Sequence, residues 1–369
     1  MTNQHPPLNP IPAHIVAVND YVPYAKQRLS LQAWAYFSGG SADETLLGRN
    51  NHAFNRFSIW PRALADLSQA HTTTQLLGSR HPFPIFLAPI AYQRMAHSDG
   101  ELATALAAAA MQTPFIISMQ ASCSLEHLVE QAPGPKWLQW YWQADKNATK
   151  ALLAKAQALN IEAIVLTVDA PVNGLRNTEQ RAQFMLPLGV EAVNLKGFKQ
   201  PNNTLGAAGS SPLFGSGFLA NAPNWQQVAT FISDCPLPVI LKGIMHPADA
   251  KRAVEIGAKG LIVSNHGGRT LDAAPTSLEV LPLVCKAVEG QIPVLFDGGI
   301  RRGSDVFIAL ALGASAVLVG RPYIYGLAAA GAPGVAHVLH LLRTELEVTM
   351  ALAGCATLDD VTPDCLYGA

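Results

Sequence analysis

Leu261-Ile262-Val263-Ser264-Asn265-His266-Gly267-Gly268-Arg269 runs from a short apolar segment into an imidazole and a guanidinium separated by two glycines. The apolar residues have the composition of a strand buried on both faces, and the glycines let backbone approach a ligand closely. A base and an anion clamp therefore stand at one strand end. Ser264 to Arg269 alone also fits a capped strand end with an incidental histidine, so the rest of the chain decides.

Working outward, similar runs occur at Pro84 to Pro89, Phe115 to Ser118, Trp137 to Trp142, Ala163 to Val168, Pro238 to Lys242, Pro293 to Asp297 and Ala316 to Gly320. With Gly260 to Ser264 they make eight candidate strands. Helical patterns lie between them. Ser98 with Glu101 and Thr276 with Glu279 have capping-box spacing, and Pro247 suits a first helical turn. Eight strand-helix units predict a (β/α)8 TIM barrel. A doubly wound sheet would want a Gly-rich turn after its first strand, where Pro89-Ile90-Ala91 stands instead.

Two segments fall outside the repeat. Residues 1–83 read as an N-terminal helical cap, with one helix over Leu29 to Phe37 ending at Ser38-Gly39-Gly40. Residues 183–223, rich in Gly, Pro, Asn and Ser, read as a long lid-like loop after the fourth strand.

The chain has 369 residues, of which 49% are hydrophobic and 14% charged, enough for one large core. Its net charge of -1 and the lack of a basic stripe argue against nucleic acid as a partner. No secretory signal and no apolar stretch long enough to span a membrane are evident, so no membrane partner is expected. Five scattered cysteines without CxxC spacing lead us to expect reduced thiols and a cytoplasmic protein. Asp169 and Asp297 lie on distant strands without a clustered His or Glu set, so no metal is expected.

In such a barrel, chemistry sits at the carboxyl ends of the strands. Those ends supply Pro89, Ile90 and Ala91; Ser118; Gln139 and Tyr141; Thr167, Asp169 and Arg176; Lys242; Ser264, His266 and Arg269; Asp297, Gly298, Gly299 and Arg301; Gly320 and Arg321. The last two tips combine glycine amides, guanidinium groups and helix N-termini, which suit a phosphoryl group.

Ser-Asn-His-Gly-Gly-Arg at 264–269, Asp-Gly-Gly-Ile-Arg-Arg-Gly at 297–303 and Leu-Thr-Val-Asp at 166–169 resemble the motifs of the FMN-dependent 2-hydroxy-acid oxidases and dehydrogenases. That family includes glycolate oxidase, lactate oxidase, mandelate dehydrogenase and the flavin domain of flavocytochrome b2. The likeness runs from about Tyr21 to Leu358. It implies oxidation of an (S)-2-hydroxy acid to the 2-oxo acid, with FMN as cofactor and a homotetramer as assembly. Oxygen is the expected acceptor, with a quinone or cytochrome as the alternative.

By that resemblance Arg176 and Arg269 clamp the substrate carboxylate, a role a guanidinium suits because it can bind bidentately. Tyr36 and Tyr141 are hydroxyl partners in the same pocket. His266 is the base and Asp169 favours its imidazolium. Lys242 lies near the N1 and C2 carbonyl edge of the flavin. Ala91, beside Pro89 and Ile90, faces N5, and Ser118, Gln139 and Thr167 contact the ring. Ser264 and Asp297 lie near the ribityl chain, and Gly298, Gly299, Arg301, Gly320 and Arg321 hold the phosphate. Whether the proton leaves carbon or oxygen is left open.

Two readings of other classes remain at this level. Lys242 at a barrel tip also suits the Schiff base of a class I aldolase. A barrel that binds ligand without turnover would be expected to lack the base or an arginine. Departures from the family pattern fall at Met119-Gln120 and at Asn173, expected on the wall distal to the carboxylate, and at Ile90, expected beside the flavin.

Overall fold

The computed structural model describes residues 5–199, 211, 213–214, 219 and 222–367. Eight parallel strands close into a barrel. They are β1 (Ile85–Leu87), β2 (Phe115–Ser118), β3 (Lys136–Tyr141), β4 (Ile164–Thr167), β5 (Val239–Lys242), β6 (Gly260–Val263), β7 (Val294–Asp297) and β8 (Ala316–Val319). Each pairs with its sequence neighbours, and β8 pairs with β1 to complete the ring. The register sets Ser118 beside Gln139, Tyr141 beside Thr167, and Thr167 beside Lys242. The predicted tips therefore share one rim.

Alternate residues of the strands fill the barrel. Phe86, Ile116, Trp137, Val165, Ile240 and Ile262 form an inner cluster, with Phe86 and Trp137 meeting edge to face at 5.5 Å. Leu76, from the antiparallel hairpin Thr74–Leu76 with Ser79–His81, joins that cluster. The other strand faces bury Leu, Val and Phe against the surrounding helices, as sheets covered on both sides require.

Four expectations are corrected. The cap helix predicted over Leu29 to Phe37 is present but starts two residues later, as Leu31–Ser38, because Ser30 caps it by accepting from the Ala33 amide at 3.1 Å; a separate helix, Tyr21–Arg28, precedes it. Ser98 caps nothing: the helix Glu101–Met111 starts after Gly100, and the buried Glu101 accepts instead from the Gln93 and Ser122 amides and the Ser122 hydroxyl. The Thr276–Glu279 box does form. One helix, Arg321–Ala353, is after all long and apolar enough to cross a membrane, but 67% of its most apolar window is buried in the protein and its backbone breaks at Ala330-Gly331. Its apolarity is that of a core helix. The fourth correction concerns one of the predicted helix N-termini and is given with the site.

Of the lid-like loop, residues 200–210, 212, 215–218, 220 and 221 lie outside the described residues. Its start is docked on the barrel mouth. Phe184 stacks on Tyr36 with ring centres 5.0 Å apart, and the Asn194 amide accepts from Leu125 N and donates to Cys123 O, each at 3.0 Å.

Candidate active site

A cavity of about 420 Å³ opens at the carboxyl ends of the strands. Tyr36, Tyr141, Arg176, His266 and Arg269 line it together with Pro89, Ile90, Ala91, Ser118, Gln139, Thr167, Lys242, Asp297, Gly298, Gly299, Arg301, Gly320 and Arg321. Two predicted residues stand behind the wall. Asp169 is reached through His266, and Ser264 is fully buried with its hydroxyl accepting from Lys242 Nζ at 2.7 Å and from the His266 amide at 3.1 Å. Ser264 thus braces the Lys242 side chain and the His266 backbone from beneath.

His266 sits at φ 58°, and Gly267 and Gly268 follow at 62° and 74°. A left-handed histidine is strained, and persists only where its surroundings hold it. Asp169 provides one hold: its Oδ1 is 2.9 Å from His266 Nδ1. With Nδ1–H committed to the carboxylate, Nε2 carries the lone pair, 3.4 Å from the Tyr141 hydroxyl. Burial opposes the Asp169 charge, but His266 and Lys242 outweigh it and keep the carboxyl below its ordinary range. Asp169 fits there because position 243 is glycine. A Cβ on Gly243 would lie 2.4 Å from Asp169 Cβ.

Burial holds the Tyr36 and Tyr141 phenols well above their usual range, so both remain hydroxyl donors. Arg269 spends Nη1 on the Tyr36 and Gly39 carbonyls and Nη2 on Glu179 Oε1 at 3.0 Å, with its guanidinium over the Tyr36 ring. Among the described residues, nothing pairs with its Nε or its second Nη2 hydrogen, which are left for a ligand. Arg176 is held down to about 10 by burial and by Arg269, and its buried Nη1 has no hydrogen-bond partner among the described residues. An anion is the natural partner for such donors.

On the opposite side, Ser118 Oγ donates to Gln139 Oε1 at 3.1 Å and Gln139 Nε2 donates to Thr167 Oγ1 at 3.0 Å, a polar rail across β2, β3 and β4. Lys242 Nζ lies 3.1 Å from Asp297. Burial works against its charge, but Asp297 and Asp169 outweigh burial and hold the ammonium above its usual pKa. An amine nucleophile must be neutral to attack a carbonyl, so this environment is the reverse of what an aldolase lysine needs.

The phosphate-type tips differ from expectation in one respect. The N-terminus of the helix Gly303–Ala311 is already satisfied: Asp305 accepts from the Arg301 and Arg302 amides, and Glu345 from the Gly303 amide. What faces the cavity is Gly298, Gly299 and Arg301, together with Gly320 and Arg321, the start of the helix Arg321–Ala353, so that one of the two predicted helix N-termini does lie at the site. Arg301 is kept below its usual pKa by burial. Arg321 is held down to about 10 by burial and by the neighbouring Arg269, Arg301 and Arg176, and it also donates to the Phe37, Gly39 and Gly267 carbonyls. Asp297 Oδ1 is buried without a partner among the described residues. Clustered guanidiniums, bare glycine turns and an unsatisfied carboxylate fit the phosphate and hydroxylated chain of FMN.

Several lining residues were not anticipated. Glu179, Tyr92, Phe184 and Leu186 join Gln120 and Asn173 on the wall, whereas Met119 is fully buried and accepts from the Tyr141 amide through Sδ. The signal for Glu179 was its i,i+3 spacing from Arg176. Tyr92 and Phe184 gave none.

Residues 25–368 match the model of the FMN-dependent dehydrogenase family. An L-lactate oxidase from a Roseobacter species is 47% identical, covering 96% of this chain and 95% of the relative. Glycolate oxidase 3 of Arabidopsis thaliana is 42% identical, covering 94% and 95%. A solved mandelate oxidase variant with (S)-mandelic acid superposes with a TM-score of 0.86 at 39% identity, covering 95% of this chain and 98% of that one. The chain belongs to the FMN-dependent dehydrogenase family. It is an FMN enzyme that oxidises the CH–OH group of 2-hydroxy acids.

Proposed function

We propose that this protein oxidises L-lactate, or an (S)-2-hydroxy acid of similar size, to the 2-oxo acid with oxygen as electron acceptor. The observation that carries the reading is a base whose Nε2 meets the Tyr141 hydroxyl, at 3.4 Å, in the same cavity as two guanidiniums that keep unspent donors among the described residues. The names of the relatives support the choice of acid, since several at 43% to 47% identity are L-lactate oxidases.

In this reading Arg176 Nη1 and the Nε/Nη2 edge of Arg269 bind the substrate carboxylate and fix the C2 hydroxyl toward His266 Nε2 and Tyr141. Nε2 takes the substrate proton, and Asp169 stabilises the imidazolium that results. Carbanion and hydride routes both need the base at this place. FMN, when bound, supplies the two-electron acceptor that oxygen later reoxidises. Lys242 sets a positive charge against developing negative charge on that side of the cavity. Tyr36 and Phe184, stacked over the clamp, exclude water.

The tail wall is half amide, from Gln120 and Asn173, and half apolar, from Phe184 and Leu186. An apolar tail long enough to cover the amides leaves buried polar groups unpaired at about 1–3 kcal/mol each. We therefore place lactate and glycolate above 2-hydroxyoctanoate, and 4-hydroxymandelate above mandelate. Steady-state kcat/KM over these acids tests the order, and a preference for 2-hydroxyoctanoate contradicts it. The reading extends to a cytoplasmic homotetramer. Five free cysteines accord with a reducing compartment, and light scattering of the holoenzyme tests the assembly.

A further inference from the structure

The substrate clamp contains an acid. Glu179, on the short helix Asn177–Arg181, places Oε1 3.0 Å from Arg269 Nη2 and 3.8 Å from Arg176 Nε. All three side chains line the cavity, and each is 13% to 16% exposed, so water screens their interaction weakly. Two guanidiniums and one carboxylate leave a single unit of positive charge where the substrate carboxylate binds.

Glu179 does not occupy the ligand positions themselves. Among the described residues, Arg269 meets it through one Nη2 hydrogen and keeps its Nε edge, while Arg176 Nη1 stays unpartnered. A substrate carboxylate thus enters with Glu179 still in place and brings the clamp to neutrality. A second carboxylate on the same ligand finds no counter-charge left within the Arg176–Arg269–Glu179 clamp, and Glu179 adds its own negative charge to the same cavity. Unpaired like charges in a desolvated site are strongly disfavoured.

We propose that Glu179 is a specificity-determining residue that limits the clamp to one carboxylate, so that the enzyme takes monocarboxylic 2-hydroxy acids and rejects dicarboxylic ones such as L-malate and tartronate. This rests on the cavity being the 2-hydroxy-acid site. A residue that only latched the helix to Arg269 would affect all acids alike, whereas a charge limit changes their ratio.

The test uses FMN-loaded enzyme and the variants Glu179→Gln and Glu179→Met, which remove the charge with and without hydrogen-bonding capacity, beside Glu179→Asp, which keeps it. Affinities for propionate and malonate are read from the perturbation of flavin absorbance, which needs no turnover. Relative kcat/KM for L-lactate and L-malate is measured alongside. The charge-removing variants are expected to shift the malonate-to-propionate affinity ratio at least about tenfold toward malonate and to move the malate-to-lactate ratio the same way, with Glu179→Asp near the parent. Ratios unchanged within about twofold in whichever of Glu179→Gln and Glu179→Met binds FMN, or a Glu179→Asp that shifts equally, overturn the proposal. A shifted anion ratio in an enzyme that turns over neither acid leaves the charge limit standing and removes the lactate reading instead.

Discussion

The side-chain amides of Asn50 and Asn265 exchange two hydrogen bonds, Asn50 Nδ2 to Asn265 Oδ1 at 3.0 Å and Asn265 Nδ2 to Asn50 Oδ1 at 2.8 Å. Asn265 Oδ1 also accepts from the Gly268 amide, so the pair clamps the left-handed turn that aims His266. The same Asn50 meets the phosphate-side turn, where a Cβ on Gly299 would come 2.2 Å from its carbonyl oxygen. Asn50→Asp keeps the shape but sets oxygen against oxygen, at a cost of about 1–3 kcal/mol for buried unpaired groups. It is expected to lower the melting temperature and slow flavin reduction by substrate. Unchanged reduction in a destabilised variant would confine the pair to stability.

His266→Ala removes the base and nothing that faces the phosphate-type tips. Flavin reduction by substrate should fall on the order of a hundredfold or more while FMN stays bound. Stopped-flow reduction with cofactor quantification checks both, and near-parent rates would take His266 out of the mechanism.

Lys242→Met deletes the ammonium that Asp297 and Asp169 hold charged. The flavin should become harder to reduce and bind sulfite more weakly, because an anionic ring loses its counter-charge. The buried Asp297 carboxylate is left unpaired, so stability should fall too. A reduction potential equal to the parent's contradicts the placement.

Asp169 has a native pKa below its unfolded value, so its contribution to stability is complete above about pH 4 and is lost as pH falls through the lower native value. Asp169→Asn should therefore flatten the acid limb of the stability curve below about pH 4. It should also slow flavin reduction, since the imidazolium loses its partner. Melting against pH checks the first expectation, and an acid limb as steep as the parent's would count against it.

What the sequence made legible follows from locality. The eight strands are short runs of Ile, Val, Leu and Phe bounded by polar residues, and a parallel barrel buries both faces of each. Once the barrel is given, its tips follow, which is why His266, Arg269, Lys242 and Asp297 could be named from position alone. The Asn50–Asn265 pair joins residues 215 apart, and Glu179 matters through its approach to Arg269, 90 residues away. Neither is written in a local pattern. Gly243 reads as a turn glycine until the Asp169 side chain is placed against it. Glu101 was misread as a cap because its spacing from Ser98 gave no hint that the Gln93 and Ser122 amides would claim its carboxylate.

The most direct measurement is anaerobic mixing of the purified FMN-loaded enzyme with L-lactate, followed by admission of oxygen. The account predicts bleaching of the flavin absorbance near 450 nm on the order of seconds or faster, one equivalent of pyruvate per flavin, and return of the absorbance with hydrogen peroxide when oxygen enters. A flavin that stays oxidised with L-lactate and with every other short (S)-2-hydroxy acid, in an enzyme that dithionite reduces normally, would contradict it.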